Sequence, residues 1–367
     1  MFITPGCFDK GGISRYSRYQ IQAFREILGR ENVFVMSLLG KEVDSFEEDF
    51  ETDYAGKSSI RWEQIKFSLY FIWICVRHRP KIILSAHVNF SGLAYFVAQL
   101  IGAKSVLNVY GLELWSGLSK DAAWGLKNSD FIISDCHNTK AYLVKNNIRV
   151  EKDITVIWDC VDLDKFKPVS HGLKEIKEKY GILNKGKKII LTLGRMSHVA
   201  RHKGYHRLLE VFEGLNQNEF YLVLAGKGDL VNDLKNIVRE KGFSSNVCFT
   251  GMISEQDMPA IYTIPHVFSL VSEVGVGMGE GIPLTPLEAT ACGTPIIVGN
   301  QDGSHEAVID NKNGLVVEPN DLDAHAIAIE NLCSKTTSSA EIREVAINNF
   351  SFKEFLKKHD DFLVKFL

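Results

Sequence analysis

The sequence predicts an α/β protein built from two doubly wound, parallel-sheet domains. Three observations lead there. The chain has 367 residues, more than one hydrophobic core usually organises. Short apolar runs of strand length alternate with helix-length segments, as in parallel sheets covered by helices on both faces. The alternation breaks once, over the polar stretch Val161 to Lys187, and then restarts. Residues 1–165 are therefore expected to form one domain, 166–187 a linker, 188–349 a second domain and 350–367 a terminal helix.

The first half opens with a stub of strand at Phe2 to Thr4, a turn carrying Gly11 and Gly12, and a helix from Ile13 to Leu28. The stub is short for a central strand, which leaves open a start further upstream. A glycine pair between strand and helix lets a phosphate or sugar approach backbone N–H groups closely. Strands follow at 32–39, 82–85, 105–109, 131–134 and 154–157, with an acidic loop at 44–53. Helices are expected at 91–101, 120–127 and 138–146. In a parallel sheet, ligand-contacting residues lie past the carboxyl ends of strands. His87, Tyr110, Asp135 and His137 occupy such positions, although each reads in the first place as a satisfied loop side chain.

The second half restarts with a strand at 188–193 that delivers Arg195, and Lys203 follows where the next helix begins. A strand at 221–225 ends in Gly226, another at 247–251 leads to Met252 and Ile253, and a third at 267–271 enters the segment Gly275 to Gly299, GVGMGEGIPLTPLEATACGTPIIVG. Glycines alternate through its start, with Glu280 among them. Thr285 is expected to cap a helix, with Pro286 at its first position and Glu288 completing a capping box. On the local pattern alone, Glu288 serves as well for a cap as for a ligand contact. A flexible loop feeding a helix N-terminus favours anions. Arg195 supplies a planar fork for phosphate oxygens and Lys203 a mobile point charge, while His198, Arg201, His202 and Arg207 are expected to thicken the basic patch.

Composition excludes several function classes. The formal net charge of −3 gives no support for nucleic acid as a partner. The seven cysteines are scattered and never in CxxC spacing, which argues against a disulfide framework or structural zinc and for a reducing cytosol. No signal peptide is visible. The apolar run Ile65 to Val76, IKFSLYFIWICV, is too short to span a bilayer; it reads as a core helix in preference to a membrane-surface contact. The run Ser91 to Ile101 reads the same way.

The strings GR…KG, AGKGD, FTG, EGIPLTPLEATACGTPII and NGLVV resemble the retaining family-4 glycosyltransferases of the GT-B fold. The resemblance covers the second half strongly, above all in its E-x7-E pattern, and the first half more weakly. It implies two Rossmann-like domains facing a cleft, with the terminal helix crossing back to the first. It implies that Arg195 and Lys203 hold the donor diphosphate, that Glu280 meets the donor sugar, and that Glu288 hydrogen-bonds the ribose. These imply Glu280, Arg195 and Lys203 as catalytic residues. Backbone around Gly281, Ile282, Pro283, Leu284 and Thr285 would cradle phosphate and sugar, with Pro283 offering only its carbonyl. Gly226 and the backbone at Met252 and Ile253 would face the nucleotide, and Gly11 and Gly12 the donor phosphate. One departure stands out: Tyr110-Gly111 replaces a His-Gly of many members, which puts a histidine role in doubt, since tyrosine is a poor proton acceptor near neutral pH.

The implied reaction is sugar transfer from a nucleoside-diphosphate sugar, UDP-sugar favoured, to an acceptor hydroxyl with retention, in polysaccharide or glycoconjugate synthesis. No metal and no cofactor beyond the co-substrate are expected. The acceptor side is a carbohydrate or lipid-linked saccharide, the location cytoplasmic, and peripheral contact with the inner face of the membrane is permitted. A sugar-nucleotide epimerase of the same architecture and a catalytically silent nucleotide-sugar-binding subunit are the alternatives.

Overall fold

The computed structural model describes all residues except Lys10, 42–49, Ser116, 276–277, 336–337 and Leu367. Most of the expected acidic loop and Gly277 of the glycine run thus lie outside the described residues. The chain divides into two compact units, Met1–Cys160 with Phe352–Leu367, and Val161–Ser351.

Unit 1 runs β1 (Phe2–Gly6), α1 (Gly12–Leu28), β2 (Val35–Leu39), β3 (Tyr54–Ala55), α2 (Arg61–His78), β4 (Ile82–Ser85), α3 (Ser91–Ile101), β5 (Lys104–Val109), α4 (Leu112–Trp115), α5 (Lys120–Asn128), β6 (Phe131–Ser134), α6 (His137–Lys145) and β7 (Ile154–Val156). Its seven strands are ordered β3-β2-β1-β4-β5-β6-β7, and all pairings are parallel. Strand order therefore reverses between β1 and β4, the position where doubly wound sheets open a crevice for ligands. The opening strand is longer than the expected stub because Pro5 and Gly6 continue it. The second strand is shorter than 32–39, since Arg30–Asn32 forms a single helical turn.

Unit 2 runs α7 (Leu173–Lys179), β8 (Lys188–Leu193), α8 (Tyr205–Gly214), β9 (Phe220–Ala225), α9 (Val231–Glu240), β10 (Val247–Gly251), α10 (Met258–Thr263), β11 (Val267–Leu270), α11 (Leu284–Ala291), β12 (Ile296–Gly299), β13 (Gly314–Val317), α12 (Leu322–Ser334) and α13 (Ser339–Asn349). Six parallel strands are ordered β10-β9-β8-β11-β12-β13, so the reversal lies between β8 and β11. Ile190, Leu222, Leu224, Val267 and Ile297 form the sheet's share of the core, against Leu208, Leu209 and Phe212 of α8.

The structure corrects three expectations. The stretch 166–187 is not a free linker but packs into unit 2. Phe166 is buried and meets Tyr262 edge-on, with ring centroids 6.0 Å apart. Lys179 and the Tyr180 hydroxyl both donate to Asp257 Oδ2 at 2.6 Å, and Arg343 donates to the carbonyls of Leu163 and Phe166. The final helix, α14 (Phe352–Leu363), starts two residues later than 350 and shares a core with unit 1, where Phe355 and Phe362 join Tyr16 and Phe24.

The third correction concerns α2. Only Phe67, Phe71, Ile74 and Cys75 of this helix are buried. Both its faces are apolar, so the uninterrupted run that reads as a core helix supplies one buried stripe and one exposed stripe. The apolar run of α3 is likewise half-buried, with Phe96 and Leu100 outside. Among the described residues no helix is long and apolar enough to cross a membrane.

Candidate active site

In unit 2 the loops after β8 and β11 leave the carboxyl ends of the two strands that flank the reversal. They are held against one another by backbone. The Glu273 N–H donates to His202 O at 2.9 Å. Gly204 has φ +75°, and a Cβ there would stand 2.3 Å from Val271 O. Only glycine allows this approach, and it fixes where Lys203 stands.

Lys203 and His202 converge on Glu280. The Lys203 ammonium donates to Glu280 Oε1, and His202 Nε2 lies 2.9 Å from the same oxygen. Burial pushes the Glu280 carboxyl up, but the Lys203 charge and the His202 hydrogen bond outweigh it and hold the group at about 2. Glu280 is therefore a carboxylate at neutral pH. Its backbone is clamped as well: the Glu280 N–H donates to Asp302 Oδ2 at 2.9 Å, and Gly303 N–H donates to Glu280 O at 3.0 Å. Asp302 is fully buried and also accepts from Ser272 Oγ at 2.7 Å and Ser304 N–H at 3.0 Å. Burial raises its carboxyl against these donors.

Arg195 stands two residues past β8, is exposed, and has no ion-pair partner among the described residues. Its carbonyl accepts from Tyr205 Oη at 3.3 Å. The wider basic patch is smaller than expected. Arg207 is paired with Glu273, His198 Nε2 lies 3.9 Å from Asp233, and His202 belongs to Glu280. The rim thus offers Arg195 and Arg201 as exposed cations, with Lys203 held by a carboxylate.

The helix after the glycine loop starts differently from the expected capping box. Pro283, not Thr285, is the cap residue, in extended conformation at φ −76°, ψ 138°, and no side chain caps the helix. Pro286 then falls in the first turn, where its missing N–H is no loss. Glu288 lies a full turn inside the helix, 1% exposed, and accepts from Tyr262 Oη at 2.6 Å. The extended backbone up to Pro283 starts the helix early, and so turns Glu288 into the interior. The N–H groups of Leu284 and Thr285 have no partner among the described residues, as befits a helix N-terminus.

The remaining donor-side candidates are backbone positions. Ile282 and Ile253 are buried, Gly281 is half-buried, and Met252 is exposed. Gly226 has φ +128°, and a Cβ there would stand 2.0 Å from Gly194 O. Close contact between the β8 and β9 ends therefore requires this glycine in any case.

In unit 1 the candidates also lie past strand ends, but most turn their polar atoms inward. The Gly11 N–H donates to Asp9 Oδ1 at 2.7 Å, so it is occupied within its own turn, whereas a Cβ on Gly12 would meet nothing within 4 Å. His87 Nδ1 accepts from the Asn89 N–H at 3.2 Å, capping the turn after β4, and burial lowers its pKa. Tyr110 is a core residue: its ring meets Tyr16 edge-on at 5.4 Å, and its hydroxyl accepts from Asn108 Nδ2 at 3.3 Å. Burial raises its pKa above the ordinary value. Asp135 is buried, and His137 is exposed, with its ring centroid 6.0 Å from that of Trp158.

Two residues escaped the sequence reading. Asp302 carries no motif signal ahead of the fold, because its function is to hold a backbone seen only in three dimensions. Glu113, three residues past Tyr110, accepts from the Tyr110 N–H at 2.7 Å. Burial pushes its carboxyl up to about 7, against the backbone donors of Tyr110, its own residue and Gly111. It is bonded directly to the backbone of the tyrosine that stands where many members of the resembled family have histidine, and its adjacency to Tyr110-Gly111 was the available signal.

Residues 174–349 match the family described as Glycosyl transferases group 1. The GDP-mannose-dependent alpha-(1-6)-phosphatidylinositol monomannoside mannosyltransferase of Mycolicibacterium smegmatis is 28% identical over 201 residues, which cover 53% of this chain and 51% of that protein. The chain thus spans about half the length of this relative. The UDP-Gal:alpha-D-GlcNAc-diphosphoundecaprenol alpha-1,3-galactosyltransferase of Escherichia coli is 26% identical over 81% of this chain and 79% of its own. Among solved structures, the Anabaena protein HepE in complex with UDP superposes with a TM-score of 0.79 at 14% identity, covering 99% of each chain. That likeness is one of fold: two Rossmann-like parallel-sheet domains of the GT-B type.

Proposed function

We propose that this chain, whose residues 174–349 match the family described as Glycosyl transferases group 1, is a retaining glycosyltransferase. It moves a sugar from a nucleoside-diphosphate sugar, UDP-sugar favoured, to a hydroxyl of a carbohydrate or lipid-linked saccharide in polysaccharide or glycoconjugate synthesis. Its setting is the cytoplasm, with peripheral contact at the inner face of the membrane. The observation that carries the reading is the cluster at the β8/β11 reversal: an open Arg195, Lys203 and His202 on the Glu280 carboxylate, and the α11 N-terminus a few residues on.

The chemistry follows from charge. Breaking the bond between the sugar and the diphosphate puts negative charge on the departing phosphate. Arg195, Lys203 and the uncapped N–H groups of Leu284 and Thr285 supply fixed positive potential there, which lowers the barrier without rearrangement at the moment of reaction. In the absence of donor Lys203 is satisfied by Glu280; with donor its ammonium is shared with the phosphate, and Glu280 is left to accept from sugar hydroxyls. With charge neutralised in this way, the reaction needs neither a metal nor a cofactor beyond the donor itself. In this reading the acceptor attacks from the same face that the diphosphate leaves, and the leaving phosphate takes the proton. Glu288 reaches the ribose only by exchanging its Tyr262 bond for one to the nucleotide.

A thermal-shift screen of UDP-, GDP- and ADP-sugars, followed by assay of nucleotide release for each hit, tests the proposal. Stabilisation by one donor class with acceptor-dependent release is the expected result. Binding without release under any acceptor, or donor conversion with no acceptor, would overturn it.

A further inference from the structure

The outer side of unit 1 carries a surface that the donor chemistry does not use. On α2, Trp62, Ile65, Leu69, Trp73 and Val76 fall on one side of the helix at about 100° per residue, opposite the buried Phe67, Phe71, Ile74 and Cys75. Each of the five is 41–63% exposed. The neighbouring α3 adds Phe96 and Leu100, one turn apart and within the same range of exposure. Both helices cover the same sheet face, because Phe67, Phe71, Ala94, Val97 and Ala98 share one core with Ile3 and Ile83. On α5, Trp124 is partly exposed and packs edge-on against Tyr95 at 4.9 Å. Isolated exposed apolar residues are normal, but a contiguous, aromatic-rich set of this kind marks an interaction site.

The charges around it identify the partner. Lys66 lies over the Trp62 ring at 6.0 Å and Arg77 over the Trp73 ring at 5.9 Å, so the same tryptophan–cation pair occurs near each end of the stripe. Arg61 borders its other side, and Arg79 and Lys81 follow the helix. Against these basic residues α2 has a single acid, Glu63, paired with Lys66 at 2.9 Å, and α3 has no charge at all. A positive border is thus built locally on a chain of formal net charge −3. Tryptophan at both ends of an apolar stripe, with basic side chains beside it, matches the depth profile of a bilayer surface: rings at headgroup level, aliphatic groups below, cations at lipid phosphate. A second copy of the chain fits poorly, because a two-fold contact would set the same basic border against itself.

We infer that the outer face of α2, α3 and α5 docks on an anionic membrane, with α2 lying in the headgroup plane. This surface is independent of the donor site and gives the proposed peripheral contact its place in the fold. The test uses the full chain in co-sedimentation with vesicles of phosphatidylcholine alone or mixed with phosphatidylglycerol. Partition onto the mixed vesicles only, weakening with added salt, is expected. Leu69→Ser with Trp73→Ser should lower it more than tenfold, and Lys66→Gln with Arg77→Gln should lower it severalfold and flatten the salt dependence. These positions are exposed, so circular dichroism, melting temperature and donor-induced thermal shift should stay unchanged; that shift separates failure of docking from failure of the donor reading. No partition by the native chain, equal partition by the Leu69/Trp73 variant, or a dimer that this variant dissociates without any vesicle binding would each overturn the inference.

Discussion

In unit 2 the loops after β8 and β11 bring a carboxylate, an ammonium and an imidazole onto one another and leave Arg195 open, whereas in unit 1 the loops after β1, β4 and β5 spend their polar atoms on their own turns. Both sheets are parallel, and both reverse strand order at their centre. The difference lies in where hydrogen-bond demand is met. His87 caps a turn and the Tyr110 hydroxyl meets Asn108, so neither holds charge ready for a ligand. Glu280 is instead kept ionised by a lysine whose charge, in the proposed reaction, an arriving phosphate would share. Position at a strand end is common to both rims; a charged cluster with exchangeable partners belongs to one.

The largest test of this contrast is Lys203→Ala. Loss of one preorganised cation at the leaving group should lower kcat by about 10²–10³-fold, with far-UV circular dichroism unchanged. Near-normal turnover would mean that the unit 2 cluster is structural too. Asp302→Ala comes next. It strips the acceptor from the Glu280 and Ser304 N–H groups and the Ser272 hydroxyl, and unpaired buried donors cost about 1–3 kcal/mol each. Chemical denaturation should show a loss of about 2 kcal/mol or more, together with a raised KM for donor.

Glu280→Gln sharpens the comparison through pH. The Glu280 carboxyl sits at about 2 in the folded chain against an ordinary 4.5. A group lowered on folding stabilises the fold fully above its unfolded pKa and loses that contribution as pH falls through the folded one. The gap in stability between native chain and variant, about 1 kcal/mol for a partly exposed pair, should therefore be full above pH 4.5 and close as pH falls toward 2. A gap that does not vary over that range would remove the ion pair as its cause. The smallest effect belongs to unit 1. Tyr110→Phe gives up one 3.3 Å hydrogen bond from Asn108 and should change kcat/KM by less than about twofold; a large loss would restore Tyr110 to the reacting site.

Much of the fold was legible from local pattern alone. Strand and helix existence followed from apolar run length, whereas the close approaches that require Gly204 and Gly226 join loops of different strands and appear only in the fold. Arg195, Lys203 and Glu280 could be named because family strings and strand ends coincide in sequence. Other features could not be read this way. The capping box was plausible locally, yet the extended backbone at Pro283 starts the helix two residues early and turns Glu288 toward Tyr262. The polar stretch 166–187 looked like a linker because its contacts, Phe166 on Tyr262 and Tyr180 on Asp257, join residues far apart in the chain.

The sequence by itself determined two parallel α/β units, the glycine loop with its carboxylate, and the basic residues at the first strand end of unit 2, since periodicity, turn chemistry and spacing are local properties. Only the tertiary structure decided which side chains hold charge together and which are consumed as caps, that Asp302 clamps Glu280, and that α2 shows one apolar face to solvent. Those outcomes depend on what packs against what, and burial and electrostatic pairing are set by neighbours in space rather than in sequence.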